Sequence, residues 1–413
     1  MSAGTRPRRR SGAELSAVSG LESVRPALVP QDLRIANLRR VVQELRSEPT
    51  LSRAELARRT GMAVPTVHRL VSDLEASGLV DEQALPADDG RLGRPPTVYR
   101  FRPETGVVAG IDVGNETTRI ALADLSGAII EFRSQPTDSS PTGLVGALVS
   151  GVRQLLRQVD APLVGVGVGV ASVVHPQTGA LCNPPQHHAW VGLALGGELA
   201  GQLSCGVSVD QDDHLAAIAE CSNVGTAPGA DSLLVLQIGK GIGVGYVLHG
   251  QKVAGWMGRF GRVAGWPVTQ PKRLLPGDTL GETLPTCGLV AQYRARGGSG
   301  LVTDGSGLVT DGSSLADAAR DGDRHAKAVM RWASLEIASL LSRLDALVAP
   351  EVLVLGGGLS GCFDLLEPDI RSGLADGVDL RPSTLGDKAV VAGAVVTGSQ
   401  FVGDWLMRQL QRA

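Results

Sequence analysis

The segment AVPTVHRLVSDLEASGLV carries polar side chains whose types and spacing are suited to contacts with DNA bases. On a helix that begins near Pro65, the apolar residues share one face and the polar residues occupy the other. Hydroxyl, imidazole and guanidinium groups can hydrogen-bond to base edges in the major groove. A solvated surface helix would carry the same residue types, so the neighbouring segments must separate the two interpretations. The polar face consists of Thr66, His68, Arg69 and Ser72.

The segment before it, LSRAELARRTG, predicts a short helix followed by a tight turn. Ser52 and Glu55 form an S-x-x-E capping box, and Gly61 is placed to end the helix. A further helix is predicted between Gln31 and Pro49, where apolar residues recur at helical spacing. Two short helices joined by a glycine-containing turn are typical of a helix-turn-helix, in which the second helix reads the DNA.

A β-wing is predicted directly after these helices. Two short alternating strands, Leu79 to Glu82 and Thr97 to Phe101, bracket the glycine- and proline-rich segment PADDGRLGRPP. Arg91 and Arg94 lie at its tip, where they could reach phosphate or the minor groove. Residues 1–100 have a net charge of +4, whereas the whole chain has −3. A basic N-terminal region on an acidic body favours contact with a polyanion at one end.

Composition narrows the remaining classes of protein. Aromatic residues make up only 3%, which leaves few rings for stacking single-stranded bases. No run of eighteen apolar residues and no apolar signal segment is visible, so we expect a cytoplasmic protein without a membrane span. The five cysteines show neither CxC nor CxxC spacing, which argues against a disulfide framework and against a local zinc site.

The pattern after Val107 changes to glycine-rich strands that alternate with helices, and it predicts an α/β domain. Helices are predicted at Asp213 to Ser222 and at Arg324 to Val348. Together with the N-terminal features, this divides the chain into three segments. They are a flexible basic arm (1–30), a winged helix-turn-helix (31–102) and an α/β sensor and oligomerisation domain (103–413). Buried strands are predicted at residues 163–171, 207–210, 232–239, 244–250 and 351–359.

The order and spacing of these features from Gln31 onwards resemble the ROK family (repressor, open reading frame, kinase). The resemblance is to its repressor branch, which includes xylose and N-acetylglucosamine repressors. It implies a ribonuclease-H-like, actin-type fold, in which two α/β lobes close over a sugar and, in the kinases, over ATP. The matching segments are TLSRAELARRTGMAVPTVHRLVSDLEASGLV, GRLGRPP, GIDVG, ALADLSG, VDQDDHLAAIAE, GKGIGVG and VLGGGL.

The kinases of this family need a catalytic Asp beside the sugar and two glycine-rich turns that hold phosphates. The resemblance places that Asp at Asp212, whereas the Asn before it is replaced by Gln211. Glu116 stands where the first turn has its phosphate-side Thr, and Lys240 replaces the Thr of the second turn. A carboxylate repels a polyphosphate, so we expect no kinase activity and no cofactor.

The family's sugar-reading segment, GxxGxAGEIGH, is GWMGRFGRVAG here, so Arg262 replaces the Glu and Gly265 replaces the His. The family's zinc-binding cluster, CxCGxxGC, is reduced to Cys287, and we expect no metal site. Each residue that remains as a candidate for binding an effector could instead satisfy nearby backbone polar groups. These candidates are Asn183, Asp212, Arg262 and Glu282.

Arg262 should have an anionic partner, because an unpaired buried guanidinium is unfavourable. If the cleft between the lobes is closed, Asp212 or Glu282 could neutralise it. If the cleft is open, Arg262 is suited to bidentate binding of a sugar phosphate or acidic metabolite. The sequence leaves both possibilities open.

We therefore predict a sequence-specific transcription regulator, a repressor by the branch that it resembles, and not an enzyme. It is expected to bind a double-stranded DNA operator as a homodimer or homotetramer, since two half-sites require two DNA-binding domains. Two alternatives remain. One is an active ROK sugar kinase with an appended DNA-binding domain, and the other is a regulator that uses its ROK domain only to oligomerise.

Overall fold

The computed structural model describes residues 30–48, 50–84, 97–270, 276–298 and 311–410. These residues form a winged-helix domain followed by two α/β lobes. Residues 1–29 of the predicted basic arm, and Arg91 and Arg94 of the predicted wing tip, lie outside the described residues.

The winged-helix domain confirms the local predictions closely. Ser52 and Glu55 make the predicted capping box: the Ser52 N–H donates to Glu55 Oε2 (2.8 Å) and the Glu55 N–H to Ser52 Oγ (3.2 Å). Gly61 then ends the helix at φ 68°, a left-handed conformation that glycine adopts without strain. Three short strands form a sheet in the order β1-β3-β2. The elements are α1 (Pro30–Ser47), β1 (Thr50–Ser52), α2 (Arg53–Thr60), α3 (Val64–Ala76), β2 (Val80–Ala84) and β3 (Thr97–Phe101).

The N-terminal lobe is built on a five-stranded sheet in the order β6-β5-β4-β7-β8. Strands β4, β7 and β8 are parallel, and β5 and β6 form an antiparallel hairpin that turns at Gly127, where φ is 96°. The elements are β4 (Val107–Val113), β5 (Thr117–Asp124), β6 (Ile129–Pro136), α4 (Pro141–Leu156), β7 (Leu163–Val170), α5 (Leu195–Leu203), β8 (Gly206–Gln211) and α6 (Asp212–Cys221).

The C-terminal lobe has a second five-stranded sheet, in the order β11-β10-β9-β12-β13. Its principal helix, α10, spans Arg324–Val348, as the sequence predicted. The strands are β9 (Ser232–Ile238), β10 (Ile242–Leu248), β11 (Gln251–Lys252), β12 (Val352–Gly356) and β13 (Asp379–Pro382). The helices that follow β11 in the chain are α7 (Leu280–Thr283), α8 (Thr286–Ala295), α9 (Gly312–Arg320), α10, α11 (Phe363–Ser372), α12 (Ala389–Gly398) and α13 (Val402–Leu410).

Glycines on β7 allow α12 to pack directly against the N-terminal sheet. In its sequence, LVGVGVGV, the valines point into the core and the glycines face α12. A Cβ at Gly167 would lie 1.9 Å from the carbonyl oxygen of Ala394, and one at Gly165 would lie 2.5 Å from that of Gly398. No side chain fits in this space, so the alternation fixes which face of the strand α12 covers.

The C-terminal helix α13 completes the core of the winged-helix domain. Trp405 and Leu406 are buried in the same apolar cluster as Leu38 and Leu74, which belong to α1 and α3. Gly403 permits the contact, since a Cβ there would lie 3.0 Å from the Ile35 side chain. The segment predicted as a separate sensor domain therefore supplies part of the hydrophobic core beneath the DNA-binding helices.

This packing predicts that Leu406→Ala loosens the DNA-binding domain rather than the lobes. Removing a buried leucine side chain is expected to lower the free energy of unfolding by about 2–5 kcal/mol. Hydrogen exchange should become faster in α1 and α3. Arg408, exposed on the same helix, is the matched control: Arg408→Ala is expected to stay within about 0.5 kcal/mol of the wild type. Equal exchange rates in α1 for both variants would contradict the packing role.

Candidate DNA interface and inter-lobe cleft

Helix α3 presents the predicted polar face to solvent. Its apolar stripe of Val67, Leu70, Val71 and Leu74 is buried, while His68, Arg69 and Ser72 are exposed and Thr66 is half-buried. The hydroxyl of Ser72 lies 3.4 Å from Nδ1 of His68, so the two side chains form one polar surface.

The position of α3 is fixed by the helix behind it. The guanidinium of Arg34 on α1 donates to the Asp73 carboxylate of α3 at 2.6 Å. Pro65 lies in the first turn, where its missing N–H leaves no additional unpaired donor. The Arg34–Asp73 contact and the buried apolar stripe therefore hold α3 against α1.

Two helices lie side by side between the lobes and define the cleft. Helix α12 covers the N-terminal sheet and α6 covers the C-terminal sheet, and the two pack on each other so closely that a Cβ at Gly393 would lie 1.9 Å from the Leu215 carbonyl oxygen. On the other side of α6, a Cβ at Gly245 of β10 would lie 2.1 Å from the Asp213 carbonyl oxygen. In both sheets, glycines allow a helix of this pair to pack directly against the strands.

Glu116 and Lys240 form an ion pair across the cleft. Glu116 lies in the turn between β4 and β5, and Lys240 lies in the turn between β9 and β10, so the pair joins the two lobes. The Lys240 ammonium lowers the pKa of the Glu116 carboxyl by hydrogen bonding and charge. These are the two residues that replace threonines in the predicted phosphate turns, and each supplies the counter-charge of the other.

Asn183 and Arg262 form a second contact between the lobes. With its amide oxygen facing the guanidinium, Asn183 accepts from Nη2 at 2.7 Å and from Nη1 at 3.2 Å. The premise that Arg262 is buried is wrong, because its side chain is exposed and water can solvate the charge. Within the described part of the chain, Arg262 makes no ion pair with Asp212 or Glu282. Its charge is therefore available to a ligand.

Asp212 begins α6 at the base of the cleft. The residue is half-buried, but protein surrounds its carboxyl group, and this burial raises its pKa well above the usual value. The neighbouring carboxyls of Asp213 and Asp112 raise it further. Burial also raises the pKa of Asp112 to about 6, although Arg119 Nη1 donates to its carboxylate at 3.1 Å. Three carboxyl groups in one low-dielectric region resist ionisation together.

Glu282 caps the start of a short helix. Its Oε2 accepts from the backbone N–H of Asp278 (3.0 Å) and from the N–H and hydroxyl of Thr279 (3.1 and 2.8 Å). This is a capping box at the start of α7. The hydrogen bonds lower the pKa of Glu282, so the carboxylate is ionised and engaged.

A buried polar network beside Asp212 was not anticipated from the sequence. His214 Nδ1 lies 3.1 Å from Asp210 Oδ1, its Nε2 lies 2.9 Å from the Gln211 amide, and Lys252 pairs with the other oxygen of Asp210. Asp210 is the penultimate residue of β8 and Lys252 lies on β11, so this ion pair joins the edge strands of the two sheets. The i, i+4 spacing of Asp210 and His214 was the available signal. No group of three or more metal-binding side chains occurs within the ranges described.

The geometry is that of two α/β lobes around a ligand cleft with a winged helix attached, and the profile of the ROK family matches residues 108–397. The chain belongs to the ROK family. A winged helix-turn-helix DNA-binding profile matches residues 36–81. This ROK protein thus has the predicted α/β, sugar-kinase-like fold of the actin-like class, preceded by a winged-helix domain.

Relatives of this ROK protein include both regulators and kinases. A transcriptional regulator of Mycobacterium tuberculosis is 25% identical over 390 residues, covering 89% of this chain and 85% of the relative. A glucokinase of Halalkalibacterium halodurans is 26% identical over 333 residues, covering 74% of this chain and 96% of the relative. A crystal structure described as a ROK family transcriptional regulator, a homolog of the E. coli MLC protein, superposes with a TM-score of 0.78 at 19% identity, covering 92% of this chain and all of that one.

One helical run, Gly386–Leu410, is long and apolar enough to cross a membrane by length and composition. It includes α12 and α13, and 61% of its most apolar window is buried inside the protein. Packing against the sheet and the winged-helix domain accounts for its apolar composition.

The burial of Asp212 predicts that Asp212→Asn stabilises the protein at neutral pH. The folded-state pKa is raised above the unfolded value, so folding favours the protonated carboxyl and stability falls as the pH rises above about 4. At pH 7 the free energy of unfolding of the Asn variant is expected to be about 1–2 kcal/mol higher than that of the wild type. Gains of this size are common when a residue that is unfavourable for stability is replaced at a functional site. Urea denaturation at pH 7 and near pH 4 measures this difference, which should disappear at the lower pH. If the variant and the wild type differ in stability by the same amount at both pH values, the raised pKa of Asp212 is not the cause.

Proposed function

We propose that this ROK protein is a sequence-specific repressor that binds double-stranded operator DNA through α3. The observation that supports this most directly is the exposed His68, Arg69 and Ser72 surface on a helix whose opposite face is buried. Names of relatives point the same way: a Bacillus subtilis xylose repressor is 25% identical over 234 residues, covering 55% of this chain. Arg91 and Arg94 are proposed to add phosphate or minor-groove contacts from the wing.

We further propose that the ROK domain senses a ligand and does not phosphorylate it. In a kinase, the two glycine-rich turns must receive the phosphates of ATP. Here Glu116 places a carboxylate in the first turn, and this carboxylate pairs with Lys240 of the second. A nucleotide would have to break this pair and lie against Glu116, which opposes binding. The regulator is proposed to act in the cytoplasm, where its operator is found.

One observation favours the alternative of an active sugar kinase. The raised pKa of Asp212 is the property that a general base needs, because it lies closer to the operating pH. Incubation with glucose, ATP and magnesium distinguishes the two functions. Formation of sugar phosphate that is lost in Asp212→Asn would establish the kinase and refute a purely regulatory ROK domain.

The effector is proposed to be an anion, such as a sugar phosphate or an acidic metabolite. Arg262 is exposed, and within the described ranges its guanidinium contacts the neutral amide of Asn183 and no carboxylate. A guanidinium in this situation is suited to bidentate binding of phosphate or carboxylate. Asp212 and Asn183 remain proposed contacts for ligand hydroxyl groups. Glu282 is the weakest of the four candidates for effector binding, because its Oε2 already accepts hydrogen bonds from Thr279.

Arg69→Ala is expected to weaken operator binding by about 1–3 kcal/mol, because a guanidinium that contacts a base edge contributes that much to discrimination. A fluorescence-anisotropy titration against operator and scrambled DNA measures the loss. Arg331→Ala, at an exposed position on α10 of the ROK domain, is the matched control and should leave affinity unchanged. Full affinity of the Arg69 variant for the operator would exclude this residue from the interface.

Arg262→Glu is expected to abolish the response to an anionic effector while leaving DNA affinity in its absence nearly unchanged. Release from operator DNA by glucose 6-phosphate, compared with glucose, provides the assay. Arg259→Glu is the control, since Arg259 is exposed in the same loop and its Nε donates to the Trp256 carbonyl oxygen. If neutral sugars release the wild type and anions do not, the proposed class of effector is wrong.

A further inference from the structure

Helix α3 begins with an apolar turn on the same face that carries the polar residues proposed to contact DNA. Val64 is 54% exposed, and Pro65, which follows it, is also exposed. Residues four positions apart are neighbours on a helix surface, so Val64 lies beside His68. Pro65 lies beside Arg69 for the same reason. The exposed face of α3 therefore changes along its length, from apolar in the first turn to polar in the second.

Most backbone N–H groups of this first turn are either missing or already engaged. Pro65 has no N–H. The N–H groups of Thr66 and Val67 both donate to the Ala63 carbonyl oxygen, at 2.9 and 3.1 Å. A helix N-terminus whose N–H groups are free is suited to binding a phosphate, and this turn lacks most of those donors. Its side chains and its backbone are therefore both suited to an apolar contact.

The major groove of DNA offers an apolar partner for such a turn. Among the four bases, thymine alone carries a methyl group, at C5, and apolar side chains that reach the groove contact it. In a helix-turn-helix, the N-terminal residues of the second helix are the ones that contact base edges. Single exposed apolar residues are usual on protein surfaces, but Val64 lies where the base contacts of this motif are made.

We propose that Val64 contacts the C5-methyl group of a thymine and thereby selects an A·T pair at one position of the operator. This inference rests on the proposed function, because it requires α3 to enter the major groove. Val64 and Arg69 are about 7.5 Å apart along the helix axis, and successive bases of one strand are about 3.4 Å apart. Both side chains can therefore reach bases of the same half-site, Arg69 through hydrogen bonds and Val64 through apolar contact.

Replacement of thymine by uracil tests the contact, because uracil lacks the methyl group and keeps the same hydrogen-bonding groups. The full-length protein is first used to select an operator from random duplex DNA. Each thymine of the selected operator is then replaced singly by deoxyuridine. At one of these positions the replacement should raise the Kd of the wild type about three- to fivefold, which is the contribution of one buried methyl group.

Variants of the protein assign the effect to Val64. Val64→Ser should bind the selected operator more weakly by a similar factor, and should bind its thymine and uracil forms equally. Leu347→Ala is the matched control, since Leu347 is 73% exposed on α10 of the ROK domain, and it should keep the preference for thymine. Binding to scrambled DNA depends on phosphate contacts and should be the same for all three proteins. Its loss in Val64→Ser would contradict a base contact.

The outcomes separate this inference from the proposed function. If no sequence is enriched from the random duplexes, sequence-specific binding itself is refuted. If an operator is selected but none of its thymines is preferred over uracil, operator binding stands and the methyl contact is overturned. The same conclusion follows if Val64→Ser prefers thymine as strongly as the wild type does, because another residue then makes the contact.

Discussion

The close approach of α12 to the N-terminal sheet is the contact on which the rest of the structure depends. Glycines at alternate positions of β7 remove every side chain from the face that α12 covers, and Gly393 lets α12 lie equally close to α6. Because α6 begins at Asp212, the packing of α12 against β7 and α6 fixes where Asp212 lies in the cleft. Since α12 leads into α13, it also sets where the DNA-binding domain is attached. One helix thus connects the cleft with the surface that reads DNA.

The cleft combines altered phosphate turns with a retained, protonation-prone carboxyl group. Three polar contacts join the two lobes across the cleft. They are the ion pair of Glu116 with Lys240, the hydrogen bonds of Asn183 with Arg262, and the ion pair of Asp210 with Lys252. An ion pair as exposed as Glu116–Lys240 contributes little to stability. Its significance is chemical, since both charges lie where the kinases of the family need neutral hydrogen-bonding groups.

Local features of this chain were predictable because their causes are local. The capping box of Ser52 and Glu55, the left-handed Gly61 and the apolar stripe of α3 depend on residues a few positions apart, and all were confirmed. The role of Glu282 in capping α7 was equally visible, because Thr279 stands three residues before it, but the family resemblance drew attention to ligand binding instead.

Contacts between distant segments could not be deduced in the same way. The sequence left open whether Arg262 pairs with an internal carboxylate or faces an open cleft, because its exposure depends on how the whole loop is set against the other lobe. The His214 network and the docking of α13 require knowledge of which elements meet. Arg39 and Asp404, for example, form an ion pair at 3.0 Å although 365 positions separate them in the chain. Periodicity identified the helices but not their partners.

The dependence of the winged-helix domain on α13 has a consequence for biosynthesis. A ribosome makes α1 and α3 first, long before it makes Trp405 and Leu406, which fill the core behind them. Until then the apolar side of these helices is incompletely covered, and the nascent domain lacks its full packing. Polypeptides that stop short of α13 would therefore carry every side chain proposed to contact DNA and still lack the full packing behind α3, so we expect them to bind DNA more weakly than the finished protein.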